Sequence, residues 1–359
     1  MNLSEVIIQR ILQEGLISFH DFMEMALYYP ELGYYTSKYN KIGSTGDYYT
    51  SSSLTPLFGA MIGKQLEEMW AILGKGPFTI VEYGAGTGAL CHAILDYLKK
   101  NKKFYQQVRY CIIEKSPTMR QKEKMHLSEK VTWHDSIRSI PKINGCILSN
   151  ELVDNFAIHQ IVMKDELMEV FVGYEDGFFE RLKPASERLK DYLSSLKVTL
   201  PQGFRTEINL KATEWIQELA ESLQMGYVMT IDYGYPSEEL YRGYRSQGTL
   251  LCYHKHTVND DPYRDIGKQD ITTHVNFSAL HHWGARNGLE PCGFTDQGHF
   301  LLALGFKDYL KKTLSPEQHL GRNETFLINT LLRDMGTRYK VLIQHKGAPK
   351  QRLLGLSLS

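Results

Sequence analysis

The feature that most constrains this chain is an apolar run, residues 78–81, that ends in the turn Glu82-Tyr83-Gly84-Ala85-Gly86-Thr87-Gly88 and passes straight into a helical pattern. Glycine has no Cβ and tolerates positive φ, so a glycine-rich turn after a buried strand lets backbone amides and a helix N-terminus approach a ligand closely. Leu90, Ala93, Ile94, Tyr97 and Leu98 then recur at helical spacing, and a second apolar run covers residues 108–113. Together these form a βαβ unit, whose crossover is right-handed.

Further short runs at 131–133, 146–148 and 227–231 suit strands buried on both faces of a parallel sheet. The fold class is therefore α/β with a doubly wound sheet. Residues 158–163, 167–172 and 178–182 are separated by Lys164-Asp165-Glu166 and Glu175-Asp176-Gly177, a pattern that predicts an inserted antiparallel meander. The expected organisation is a helical extension or lid at 1–75, the first half of the core at 76–157, the β insertion at 158–200 and the second half at 201–359. Within the last, a polar stretch at 236–273 is too long for an ordinary connection. The tail predicts a helix at 326–332 and a strand at 339–343.

Composition narrows the function. Lys plus Arg and Asp plus Glu number 41 each among 359 residues, which leaves no global positive field to drive non-specific binding to nucleic acid. The five cysteines lie far apart without a CxxC pair, so a reducing compartment and no structural zinc are expected. His254, His256 and His274 lack a cysteine or carboxylate at ligand spacing, and no metal is expected. No apolar stretch approaches the roughly 20 residues of a membrane helix. The N-terminal helical pattern carries Glu5 and Glu14, unlike an Arg-rich transit peptide, and the expected location is cytoplasmic.

The glycine spacing is GxGxG rather than the GxGxxG of dinucleotide sites, and Glu82 stands where a carboxylate can balance a cationic ligand. S-adenosyl-L-methionine carries such a charge. Glu114 closes the next strand, where doubly wound folds place the acid that accepts ribose hydroxyls. Asp135 follows the third strand; it is either a contact for the adenine amino group or a helix cap.

Four motifs then resemble one family: Gly46-Asp47-Tyr48-Tyr49-Thr50-Ser51, residues 82–88, Ser149-Asn150-Glu151-Leu152-Val153-Asp154, and His159-Gln160. With Ile231-Asp232-Tyr233-Gly234, Gly248-Thr249-Leu250, Gly267-Lys268-Gln269-Asp270-Ile271-Thr272 and His274-Val275-Asn276-Phe277, they cover most of the chain. The resemblance is to the MidA-type family, the complex I assembly-factor methyltransferases. It implies a Rossmann-like methyltransferase core, S-adenosyl-L-methionine as donor and, for the mitochondrial member, methylation of an arginine on a complex I subunit. Gly46, Asp47, Tyr48 and Asn150 join the donor-binding set on this ground, and His159 and Gln160 the substrate or lid set.

Methyl transfer is an in-line displacement at a carbon already activated by the sulfonium, so a site chiefly aligns the reactants and excludes water. A guanidinium acceptor stays protonated and delocalised, so carboxylates must hold and orient it. Glu151 and Asp154 follow the fourth strand, where a spacing of three can set both on one helical face. The alternative is a helix cap at Asn150 or Asp154 with Glu151 in the first turn. Asp232 ends the fifth strand, as a site residue or as turn chemistry. Gln269, Asp270 and His274, with Asp47 and Tyr48, are either a cover over the donor or a solvated loop. The leading expectation is a protein arginine methyltransferase acting on a respiratory-complex partner, without membrane insertion. The alternatives are methylation of RNA or a small molecule, and a non-catalytic assembly chaperone that keeps the cofactor fold.

Overall fold

In the computed structural model, which describes residues 2–37, 41, 47, 50–127, 129–313 and 322–358, each short apolar run becomes a strand flanked by helices. These strands are β1 (Phe78–Tyr83), β2 (Val108–Ile113), β3 (Val131–His134), β4 (Ile143–Asn150) and β5 (Leu223–Tyr235). They pair in parallel in the order β3-β2-β1-β4-β5. The winding reverses between β1 and β4, which makes that gap the switch point where ligands of such sheets bind.

Two antiparallel strands extend the sheet beyond β5, and the short strand Val275–Asn276 pairs in parallel with the end of β5, which makes eight strands. β6 (Glu290–Asp296) is an edge strand, and β7 (Tyr339–Lys346) is wedged between β5 and β6, antiparallel to both. The sequence pattern did not reveal β6, because Pro291 and Gly293 interrupt its alternation, and an edge strand tolerates both. The three central strands approach closely at their amino ends, where Thr79, Gly145 and Gly226 stand in register. A Cβ on Gly145 would lie 2.2 Å from the Thr79 carbonyl oxygen, and one on Gly226 would lie 2.0 Å from that of Gly145.

The described chain forms two compact units. One comprises Met1–Tyr48, Val153–Trp215 and Gly234–His282, and the other Tyr49–Leu152, Ile216–Tyr233 and Trp283–Ser359. The second holds seven strands of this sheet, apart from the end of β5. Its helix Pro56–Ile72 is opened by Thr55, whose hydroxyl caps Leu57 N–H, and by Pro56 at the first position. This helix buries Leu57, Met61, Ile62, Leu66 and Met69, and its Gly59 and Gly63 face Ala93 and Tyr97 of the helix Ala89–Leu98.

The first unit is built on the expected meander, His159–Met163, Leu167–Glu175 and Gly177–Pro184, extended by Arg205–Ile208 and by Ile17–Ser18 of the N-terminal segment. Helices Leu3–Glu14 and Phe19–Tyr28 pack on it through Ile7, Phe19, Phe22 and Leu27, against Val170 and Val172. The polar stretch at 236–273 is more ordered than its composition suggested. It contains a three-stranded sheet, Leu251–His254, Thr257–Asn259 and Asp270–Thr272, whose inner residues Cys252 and Ile271 are buried in the same core. The tail helix Arg322–Ile328 continues as a π-helix, Asn329–Asp334, before β7.

A Cβ on Gly59 would sit 2.4 Å from the Ala93 Cβ, so the two helices have no room for a larger residue. Gly59→Val is expected to destabilise the protein by about 1–3 kcal/mol through overpacking. Urea denaturation checks this: an unchanged midpoint would show that the helices can separate at little cost.

Candidate functional site

The turn after β1 places Gly84, Gly86 and Gly88 at φ 64°, 60° and 77°, a region that L side chains rarely adopt. Gly88 is the N-cap of the helix Ala89–Leu98, and no side chain caps that terminus. A Cβ on Gly84 would lie 2.8 Å from Leu152 Cδ1, so this turn and the loop after β4 share one edge of the sheet.

Glu82 does not project into the turn. It is buried at 2% exposure and accepts a hydrogen bond from the Tyr110 hydroxyl at 2.7 Å. Glu114, at the end of β2, is half-buried and accepts from Ser116 N–H at 2.7 Å, while Arg120 donates to its backbone carbonyl. Burial pushes the Glu114 carboxyl above its ordinary range. Asp135, after β3, has a side chain 90% exposed and ion-paired with Arg120 at 2.6 Å. It lines, with Lys115 and Arg120, a cavity of about 250 Å³. The Ser136 hydroxyl, not Asp135, caps the short turn Ile137–Ser139.

At the end of β4 the chain turns sharply. Glu151 adopts φ 53°, a left-handed conformation costly for a residue with a side chain, and its N–H bonds the Ile231 carbonyl of β5 at 2.9 Å. Its carboxylate is held at both oxygens. Oε1 accepts from Ser51 N–H at 2.9 Å and Asn150 Nδ2 at 3.1 Å, and Oε2 accepts from the Tyr339 hydroxyl at 3.0 Å. Asp232, fully buried at the end of β5, accepts from Leu152 N–H at 3.1 Å and Tyr233 N–H at 2.9 Å. Asp232 thus pins the loop that carries Glu151.

One expectation is corrected here. Glu151 and Asp154 share no helical face, and neither Asn150 nor Asp154 caps a helix at this point. The left-handed turn breaks the chain at Glu151, and only a 3-10 turn, Val153–Asn155, follows. The two acids also belong to different units. Tyr339, missed in the sequence, is brought to Glu151 by the sheet order and leaves no local motif; Ser51 closes the motif Gly46–Ser51, was given no role there, and reaches Glu151 through its backbone amide.

The other unit gathers the remaining candidates. Tyr28, Tyr35 and Tyr34 follow one another as packed rings, with centroids 5.5 and 5.0 Å apart. Each hydroxyl anchors a different segment: Tyr28 donates to Asn155 Oδ1, Tyr35 to both oxygens of Asp270, and Tyr34 to Asp47 Oδ2. Asp47 also accepts from Lys255 N–H at 2.6 Å, which fixes a two-residue hairpin turn whose members Lys255 and His256 both have positive φ. Asp270 is buried; burial first, then the charge of Asp154, lifts its pKa to about 8 against the Tyr35 hydrogen bond. Gln269 is buried and bonded to the Asp261 and Arg264 carbonyls. His159 Nδ1 lies 2.6 Å from Glu169 and its ring stacks on His20. Gln160 accepts from Arg205, and His274 N–H donates to the Thr249 hydroxyl while its ring packs on Tyr235. Gly46 and Tyr48 lie outside the described residues.

A doubly wound sheet with a GxGxG turn at its switch point and acids near its strand ends is an open α/β fold of the class that binds ligands at that edge. The chain belongs to a family of S-adenosyl-L-methionine-dependent methyltransferases, Methyltransf_28, whose model matches residues 61–295. It is 27% identical to the Drosophila melanogaster protein arginine methyltransferase NDUFAF7 homolog, over 94% of this chain and 83% of that protein. To human protein arginine methyltransferase NDUFAF7 it is 24% identical, over 96% of this chain and 83% of the relative. A Burkholderia thailandensis protein crystallised with S-adenosyl-homocysteine superposes with a TM-score of 0.90 at 27% identity, covering 99% of this chain and 94% of that one. The doubly wound fold, the enzyme class and the donor are therefore as expected. The cytoplasmic location is not: the fly and human relatives are mitochondrial proteins by name. An acid-containing N-terminal helix and a neutral charge balance describe the folded surface and carry no information on compartment. Among the described residues, no helix is long and apolar enough to cross a membrane.

Two buried carboxyl groups flank β2 beneath the glycine turn. Burial lifts Glu82 to about 7, against the Tyr110 hydrogen bond; burial and then the charge of Glu114 lift Glu123 to about 8, against Trp133 Nε1–H at 2.7 Å. Both therefore hold a proton in the folded state where the unfolded chain, with ordinary values near 4.5, has released it. Their contribution to stability is complete below about pH 4.5 and is lost as pH rises through about 7 to 8. The thermal midpoint should fall across that interval, and Glu123→Gln should fall less steeply. Parallel slopes for the two proteins would show that Glu123 is ionised in the fold.

Proposed function

We propose that this chain transfers the methyl group of S-adenosyl-L-methionine to an arginine of a partner protein, with Glu151 as the carboxylate that receives the acceptor. The observation that carries this is the Glu151 turn. A carboxylate is held in a left-handed backbone by donors from three segments, at the carboxyl edge of β4 and beside the glycine turn. Strain of this kind persists where the surroundings over-determine it, and such places are commonly functional. The names of the animal relatives support arginine as acceptor. The resemblance noted in the sequence supports a respiratory-complex subunit as partner.

The residues fit the donor. Three alternate glycines with positive φ lead into a helix N-terminus that no side chain caps, and Glu114 directly follows β2, where it would accept ribose hydroxyls. Asp135 would receive the adenine amino group, in exchange with Arg120. The donor supplies a methyl group on a positively charged sulfur. Glu151 would pair with a guanidinium through charge-assisted hydrogen bonds and turn one nitrogen towards that carbon. Asp232 works through Leu152 N–H as a positioning residue for the same loop. Glu82 and Tyr110 support the cradle from below and are not in contact with the acceptor in this scheme.

Gly86 sits at φ 60°, and a β-branched residue there is strained whatever the space. Gly86→Val is expected to abolish binding of S-adenosyl-L-methionine and S-adenosyl-homocysteine in calorimetry. Retained affinity would place the donor elsewhere. Glu151→Gln should keep donor affinity and slow transfer by about 100-fold, the cost of lost acceptor alignment. The direct assay offers labelled donor and a protein extract to wild type and Glu151→Gln, then locates the label by mass spectrometry. Label on arginine, lost in the variant, is the expected result; label only on other residues or on small molecules would overturn the arginine assignment.

A further inference from the structure

Tyr339 is the first residue of β7, the one strand that runs between β5 and β6 against the direction of its parallel neighbour. Such a reversed strand meets the carboxyl edge of the parallel sheet with its first residue instead of its last. In register, Tyr339 stands opposite Tyr233 and Lys340 opposite Asp232, so β7 begins where β5 delivers its site acid. The approach to that position is tight. A Cβ on Gly336, in the turn Met335–Arg338, would lie 2.8 Å from the Leu331 carbonyl oxygen and 3.2 Å from the Gly298 Cα.

From this position the Tyr339 hydroxyl donates to Glu151 Oε2 at 3.0 Å, and its ring packs edge-on against Tyr233 with centroids 5.6 Å apart. The donors to Oε1, Ser51 N–H and Asn150 Nδ2, come from the other side of the carboxylate. A carboxylate fixed at one oxygen can still swing the other; a second anchor on a rigid strand stops that motion.

We infer that Tyr339 is a positioning residue for methyl transfer, which acts by fixing the orientation of the Glu151 carboxylate and hence of the acceptor nitrogen. The inference rests on the assignment of Glu151 as the acceptor carboxylate. In-line displacement makes it consequential, because a misplacement of about 1 Å costs on the order of 100-fold in rate.

Tyr339→Phe removes the hydroxyl and keeps the ring that packs on Tyr233. In the full chain, kcat should fall roughly tenfold or more, the value of a hydrogen bond to a charged group, with donor affinity and thermal midpoint unchanged. The double variant Tyr339→Phe/Glu151→Gln should be no slower than Glu151→Gln alone, since a residue that acts through another adds nothing once that residue is gone. A Tyr339→Phe enzyme with wild-type kcat, a double variant slower by the full product of the two losses, or a lowered thermal midpoint with matching loss of donor binding would each overturn the role. The arms separate the two claims. Wild-type turnover in Glu151→Gln overturns the acceptor assignment and this inference with it; slow Glu151→Gln beside wild-type Tyr339→Phe overturns this inference alone.

Discussion

The molecule depends on the close parallel pairing of β1, β4 and β5 at Thr79, Gly145 and Gly226. Main chains meet there with no space for a side chain at either glycine. With the amino ends locked in register, the carboxyl ends of the same strands emerge side by side, as the glycine turn, the Glu151 turn and Asp232. The hydrogen bond from Glu151 N–H to the Ile231 carbonyl, and the contact of Leu152 with Gly84, are consequences of that register. Hydrophobic burial on both faces supplies the stability, and the glycine contacts fix the alignment.

Around Glu151 the chain offsets the cost of a left-handed residue with donors from two distant segments and from the residue just before it. None of those donors is charged: they are a backbone amide, a carboxamide and a phenol. Neutral donors stabilise a carboxylate without contributing an opposite charge of their own, and under the function proposed above this carboxylate would receive the guanidinium. The acids beneath the glycine turn show the opposite arrangement. Burial lifts Glu82 to about 7 and Glu123 to about 8, so below those values the pair carries less charge than its sequence suggests.

The parallel half of the sheet was legible because most of its strands are short buried apolar runs, although β3 buries only Val131 and exposes Thr132, and the meander because charged turns punctuate it. β6 was hidden by Pro291 and Gly293, and the small sheet within 236–273 by its polar surroundings, since only Cys252 and Ile271 reach the core. At the site, Glu82 to Gly88 and Glu151 announce themselves by spacing after a strand. The face expected to join Glu151 to Asp154 does not exist, because periodicity assumes a continuous helix and the left-handed turn at Glu151 interrupts it. Tyr339 carries no local signal at all; 188 positions separate it from Glu151, and only the insertion of a reversed strand brings them together.

That reversed strand also sets the order in which the protein can assemble as it is made. Among the described residues β6 pairs in the sheet with β7 alone, and one edge of β5 is covered by β7 along eight residues, Gly226 to Tyr233. During synthesis the glycine turn, β1 to β5 and β6 all leave the ribosome before residue 339. Until β7 follows, two strand edges stay open, and such edges are templates for pairing with other chains. Interruption of synthesis in the last stretch would therefore yield a chain that contains the complete glycine turn yet lacks a closed sheet and the second anchor of Glu151, a product for quality control and not a smaller enzyme.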